Sequence, residues 1–183
     1  NGCPVGGEEV ANKRAEIVGG EVSTVKMVAH VKCAGDCNKA KDAYSYVGPK
    51  NCKIATNSPG GGPKACAYGC LGYGSCVAAC QFGAINIIDG IAVIDKDKCK
   101  SCGMCVAECP RNIIEMIPYD AKAIVECNSK DFGKDVKAVC QSGCIGCSLC
   151  AKNCPEGAIT VDNHLAKVDY SKCTGCGTCK EKC

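Results

Sequence analysis

Displaced by 74 residues, this chain lands on itself, and what coincides is cysteine. "CAYGCLGYGSCVAACQFGAI" (66–85) overlays "CQSGCIGCSLCAKNCPEGAI" (140–159), and "CKSCGMCVAEC" (99–109) overlays "CTGCGTCKEKC" (173–183). All eight cysteines of the first pair of blocks have a partner at that displacement. The departure is Tyr73, which stands where the second copy has Cys147. A duplicated module is therefore the frame for every other inference. It demands a fold that sets many thiols at fixed points twice over.

Composition explains why thiols matter so much. Cysteine supplies 22 of 183 residues, about 12%, above the level that marks a disulfide or metal scaffold. The hydrophobic share of 46% counts those cysteines, and with no Trp and two Phe the remaining apolar stock is thin for a core. Small domains in that position are held by staples or metals. The formal charge of +3 is read with this in mind. A cube with four thiolates carries roughly −2, so four cubes would bring the protein to roughly −5. The lysines are scattered without a run of like charge, so no nucleic-acid partner is expected. No apolar stretch of these 183 residues approaches the roughly eighteen that cross a bilayer, and none is expected to be a signal peptide. An opening on "NGCPVGGEEV" without Met and an ending on Cys183 are expected of a piece of a longer protein.

Between the cysteine blocks lie short strands and turns. "AINIIDGIAVID" (84–95) alternates aliphatics around Asp89-Gly90, a hairpin signal, and "AITVDNHLAKVD" (158–169) has the same outline. "VAEC" and "AKNC" each suit one helical turn. Residues 53–65 read as a Gly- and Pro-rich loop, "GGEEVANKRAEIVGG" as a helix between glycines, and "AKAIVEC" (121–127) as a strand. The expected fold class is α+β: duplicated two-cluster ferredoxin modules of short hairpins and single-turn helices. The modules are expected over 66–118 and 140–183, joined by a connector at 119–139 and preceded by a cysteine-containing lead-in at 29–65.

Cysteine spacing separates the chemistries. Structural zinc takes two pairs of ligands for one tetrahedral ion, so a third cysteine after only two more residues is surplus. Disulfides need partners at set geometry, which cysteines three apart in one tight loop do not offer. A metallothionein-like sponge leaves the aliphatic hairpins and the ordered repeat unexplained. The run at Cys144, Cys147, Cys150, Cys154 and Pro155 is the C-x2-C-x2-C-x3-C-P spacing of bacterial two-cluster ferredoxins. Three thiolates at i, i+3 and i+6 wrap three corners of a 4Fe-4S cube. The fourth aims at the neighbouring cube.

Four ligand sets follow. Cys144, Cys147, Cys150 and Cys183 form one, and Cys173, Cys176, Cys179 and Cys154 the next. Upstream, Cys99, Cys102, Cys105 and Cys80 form a third. Cys70, Cys76 and Cys109 form a fourth with Tyr73 at the missing corner. Cys66 is the favoured candidate for that vacancy, because Gly72 and Gly74 allow a tight approach; the rival is a three-iron cluster with no fourth ligand. Gln81 replaces the expected Pro. Of the remaining cysteines, Cys33, Cys37 and Cys52 either join a further cluster or are small buried hydrophobes. Cys127 and Cys140 read as structural.

Other residues carry less. His30 and His164 have no partner constellation and read as packing or surface residues. Tyr44, Tyr46 and Tyr68 suit packing, against clusters or otherwise. "SPGGGPKAC" lacks the strand, helix and Lys-Ser/Thr of a phosphate loop, and no flavin or NAD fingerprint is present. No catalytic residue is expected.

"NGCPVGGEEVA", "HVKCAGDCNKAKDAYSYVGPKNC" and "GGGPKACAYGCLGYGSC" together resemble the long, cluster-rich form of the B subunit of the Rnf complex. The resemblance covers essentially the whole chain. It implies that residues 1–28 end an upstream four-cysteine 4Fe-4S domain, with Cys3 as its last ligand and the partners before residue 1. It implies at least four 4Fe-4S clusters here and five or more in the full-length protein. It also implies an N-terminal membrane anchor outside this stretch and a place on the cytoplasmic face of the cell membrane. In that family electrons come from reduced ferredoxin and pass to membrane and flavin-bearing subunits, which reduce NAD and pump sodium ions or protons.

The function expected is thus an electron-transfer subunit of an ion-translocating ferredoxin:NAD oxidoreductase. Three alternatives stand beside it: a free polyferredoxin serving several oxidoreductases, a cluster subunit of a soluble bifurcating enzyme, and a protein whose cubes are structural or sensory.

Overall fold

A computed structural model describes residues 6–18 and 25–183. Cys3, expected as a ligand, lies outside them. The first helix, α1 (Gly7–Val18), occupies the stretch expected to be helical. Among the described residues no helix is long and apolar enough to cross a membrane.

Strand β1 (Met27–Val31) opens the structured body, and the upstream repeat follows it. Helix α2 (Cys52–Thr56) overlaps the start of the segment expected as a loop at 53–65. Asn51 starts it by accepting hydrogen bonds from the backbone N–H groups of Lys53 and Ile54 at 2.9 and 3.2 Å. A capping Asn of this kind satisfies the free donors of a first turn, and it outweighs the Gly and Pro that follow. Then come α3 (Ser75–Ala79), the hairpin β2 (Ile85–Ile88) and β3 (Ile91–Ile94), α4 (Met104–Glu108) and β4 (Ile114–Pro118). After the connector's helix α5 (Gly133–Val139), the pattern returns as α6 (Leu149–Lys152), β5 (Ile159–Asp162), β6 (Leu165–Val168) and α7 (Thr178–Lys182).

Both hairpins form as expected. Their turns use left-handed residues, Asp89-Gly90 at φ 48° and 76° and Asn163-His164 at 48° and 61°, as a two-residue turn between twisted strands requires. α3 packs on α4 and α6 on α7. β1 runs across the boundary expected at residue 28 and pairs antiparallel with β4, Met27 opposite Pro118 and Val31 opposite Ile114. Val28 and Ile117 are fully buried there. "AKAIVEC" is not a strand. It passes between the modules, and its Glu126 carbonyl accepts from the Ala34 N–H at 3.1 Å instead of joining a ladder.

The core bears out how little apolar stock there is. Small aliphatic residues such as Ala29, Ala84, Ala92 and Ile114 share it with Cys70, Cys76 and Cys105. The thiols sit where an ordinary small domain would place leucines.

Candidate metal centres

The four short helices of the repeat, α3, α4, α6 and α7, each carry a cysteine on the first turn and are entered through a left-handed residue: Gly74, Gly103, Ser148 and Gly177, with φ between 62° and 84°. That left-handed residue turns the chain from the cysteine loop into the helix. The loop is pressed against the hairpin beside it. A Cβ on Gly72 would lie 2.3 Å from the carbonyl oxygen of Gly90, and one on Gly146 2.7 Å from that of His164. Only glycine permits so close an approach at a positive φ.

Cys80, Cys99, Cys102 and Cys105 line one pocket, the set read from the sequence. The Ala29 N–H of β1 points at the sulfur of Cys99, 3.5 Å away. Burial pushes the Cys105 thiol up to about 11, with Cys99 and Cys102 adding to the shift. Downstream, the thiols of Cys144 and Cys183 act on Cys150, whose pKa is raised chiefly by burial. The Ala158 N–H donates to the sulfur of Cys154 at 3.3 Å. Cys147 and Cys176 are exposed. Cys176 has its pKa lowered, first through the hydroxyl of Thr178 at 3.5 Å. Cys173 and Cys179 hold the same places in the second loop as Cys99 and Cys105 do upstream.

At the place of Tyr73 the structure sets Cys52 beside the loop cysteines, while Cys66, the candidate favoured from the sequence, lines a different pocket. Cys52, Cys70, Cys76 and Cys109 line one pocket together with Arg111. Burial pushes the Cys76 thiol up to about 12, with Cys70, Cys52 and Cys109 following as causes. α2 delivers the sulfur: the Cys52 N–H donates to the buried Ser75 hydroxyl at 2.9 Å, and Lys53 Nζ meets Glu108 Oε2 of α4 at 2.8 Å. Tyr73 stacks on Tyr46, ring centroids 5.5 Å apart, with Lys50 Nζ 4.8 Å from its centroid. Sequence reasoning favoured Cys66 by proximity along the chain; the usable signal for Cys52 was the Asn51 cap, which fixes a helix at its side.

Cys66 lines a pocket with Cys33, Cys127 and Cys140, the last two read from the sequence as structural. Cys37 joins neither pocket. It is exposed, and its N–H donates to the Asp89 carbonyl at 2.8 Å, bracing the β2–β3 turn. His30 is partly buried with its Nε2 unpaired, and burial lowers its pKa. His164 packs on Phe132, centroids 4.3 Å apart.

This donor set suits clusters better than single ions. Among the described residues no three His, Cys, Asp or Glu groups close on a point where one ion would sit. The described cysteines are free thiols, gathered around spaces lined by apolar groups and N–H donors. Thiols pushed up by burial are protonated without metal, so ligation must displace their protons.

Comparison with known proteins agrees. Residues 92–115 match the family described as 4Fe-4S binding domain, and residues 143–183 match the 4Fe-4S dicluster domain. Both modules are thus sites of 4Fe-4S clusters. Over 185 residues the chain is 47% identical to the B subunit of the ion-translocating oxidoreductase complex of Methanosarcina acetivorans, covering 100% of this chain and 70% of that protein. It is 46% identical over 183 residues to the B subunit of the Na(+)-translocating ferredoxin:NAD(+) oxidoreductase complex of Acetobacterium woodii, covering 99% of this chain and 55% of that one. A third relative is the B subunit of the proton-translocating ferredoxin:NAD(+) oxidoreductase complex of Clostridium ljungdahlii, 46% identical over 187 residues, with 100% of this chain and 66% of that protein covered. The chain therefore spans between 55% and 70% of the length of these relatives.

Proposed function

The chain belongs to the family of B subunits of ion-translocating oxidoreductase complexes, and from that premise we propose that it relays electrons from reduced ferredoxin toward the membrane and flavin-bearing subunits of a ferredoxin:NAD oxidoreductase. It would do so on the cytoplasmic face of the membrane. The observation that carries this reading is the duplication itself: paired cysteine loops at a constant displacement, backed by the two family matches.

Bound 4Fe-4S clusters supply the one-electron chemistry. The chain's own residues do the rest. Cys80, Cys99, Cys102 and Cys105 would ligate one cluster, and Cys52, Cys70, Cys76 and Cys109 its neighbour. Cys144, Cys147, Cys150 and Cys183 would ligate the third, and Cys154, Cys173, Cys176 and Cys179 the fourth. N–H groups such as that of Ala92, 3.4 Å from the Cys70 sulfur, offset the negative charge that reduction adds. Arg111 fixes a cation beside the Cys52 set, donating to the carbonyls of Cys66, Gly69 and Gly61 at 2.7, 3.0 and 2.7 Å. Ile114 and Leu71 shut water from the same site.

Anaerobic protein should hold at least about sixteen irons, four per set. Stopped-flow mixing with reduced ferredoxin should bleach it within the enzyme's turnover time, whereas NADH without the flavin-bearing subunits should leave it oxidised. An iron content of only a few atoms, or no electron uptake from reduced ferredoxin, would refute this function.

A further inference from the structure

We propose that Cys33, Cys66, Cys127 and Cys140 hold a fifth 4Fe-4S cluster, set between the two modules and joining them. This rests on the reading of the chain as an electron relay and extends it to residues outside both family matches.

The four thiols come from four separate segments and line one pocket. They are near enough to act on one another: Cys127, Cys33 and Cys140 all raise the pKa of Cys66, after burial as the main cause. The backbone leaves space at the sulfurs. A Cβ on Gly35 would come within 3.2 Å of the Cys140 sulfur and 3.7 Å of the Cys33 sulfur, and one on Gly69 within 3.7 Å of the Cys66 sulfur. Charge is provided for as well. Lys64 lines the pocket at 8% exposure, and its carboxylate partner, exposed Asp42, stands 3.9 Å away. A buried ammonium held so loosely calls for a nearby anion, which a four-thiolate cluster is. A zinc ion would need its sulfurs about 2.3 Å from one centre, and no three described donors converge in that way.

The repeat gives the site its meaning. Cys66 and Cys140 hold the same place in the two copies, four residues ahead of Cys70 and Cys144. Neither serves its own module; both turn to the shared pocket. The hydrogen bonds repeat the relation. The Cys70 N–H donates to the sulfur of Cys33 at 3.4 Å, and the Cys144 N–H hydrogen-bonds the sulfur of Cys127. Equivalent ligand residues of the two modules thus each touch a sulfur of the central site. The site offers a hydrogen-bonded route for an electron from one module to the other.

Iron and sulfide counts, zinc analysis, Mössbauer spectra and EPR on the anaerobic 183-residue chain test the proposal. Wild type should hold about twenty irons, and Cys127→Ala about four fewer, a loss of about one fifth of the Mössbauer area. Cys66→Ala should remove the same spectral component as Cys127→Ala, distinct from the one removed by Cys52→Ala, while Cys37→Ala changes nothing. A wild-type count of about sixteen irons, with or without one zinc, overturns the fifth cluster and leaves the relay intact. A count far below that overturns both. Full iron in folded Cys127→Ala overturns the ligand set, and if that variant does not fold, the wild-type count and spectrum decide alone.

Discussion

The two copies of the module share a backbone and differ in their cover. Left-handed residues recur at the repeat distance: Gly72 and Gly146 at φ 72° and 65°, Gly74 and Ser148 at 75° and 62°, Gly103 and Gly177 at 74° and 84°. Yet Cys70, Cys76 and Cys105 are each 7% exposed, while their counterparts Cys144, Cys150 and Cys179 are only half-buried, and Cys147, Cys176 and Cys183 lie at the surface. The β1–β4 ribbon and α2 close over the upstream copy, and no described element stands in those places downstream. Closely similar loops, differing at Tyr73 and Cys147, therefore meet two solvent environments. Exposure and hydrogen bonding to sulfur tune cluster potential and reactivity, so duplicated loops under different cover are expected to give distinct centres.

The largest effect should come from the ligand that breaks the symmetry. Cys52→Ala should convert one upstream cluster to a three-iron species or abolish it, seen as a new EPR signal in the oxidised protein and about one to four fewer irons. Cys66→Ala should spare that cluster; if it gives the same three-iron signal, the assignment of Cys52 fails. Next, air should separate the copies. Bleaching should be biphasic, with downstream signals decaying several-fold faster, and a single phase would mean that cover does not govern access.

What was legible in the sequence follows from this asymmetry. Every ligand inside a loop has a local spacing, so Cys99, Cys102 and Cys105 could be read without a fold. The hairpins were legible because Asp89-Gly90 names its own turn. Cys52 was not, because it approaches from a helix whose only announcement is Asn51. Cys33 and Cys127 reach their pocket from segments with no repeat partner. Their one signal was indirect: Cys66 and Cys140 recur at the repeat distance without a role in either loop. "AKAIVEC" misled because it finds no strand to pair with: its Glu126 carbonyl meets the Ala34 N–H, and its Lys122 lies against Gly175.

Smaller effects probe the backbone that the copies share. Gly72→Ala should cost about 3 kcal/mol, since it combines a left-handed φ with a Cβ against a carbonyl; Gly146→Ala, with the wider 2.7 Å approach, should cost about 2 kcal/mol. Rates of iron release to a chelator in urea would rank them, and the reverse order would contradict the tighter upstream packing. Smallest of all, Ser148→Gly should slow downstream iron release modestly, stabilising by about 0.5–1 kcal/mol, because Ser148 holds at φ 62° what its counterpart Gly74 holds without a side chain. No change there would show that the serine's own contacts offset its strain.

The ribbon of β1 with β4 also imposes an order on the protein's manufacture. At about 5–20 residues per second, a ribosome that has released Val31 needs on the order of ten seconds to supply Ile114. Through that interval the eleven cysteines from Cys33 to Cys109 emerge while β1 has no second strand, which leaves them open to oxygen and to stray metals. The downstream half closes on near neighbours as soon as it emerges. Metal insertion in the cell is thus better timed for a finished chain than for a growing one.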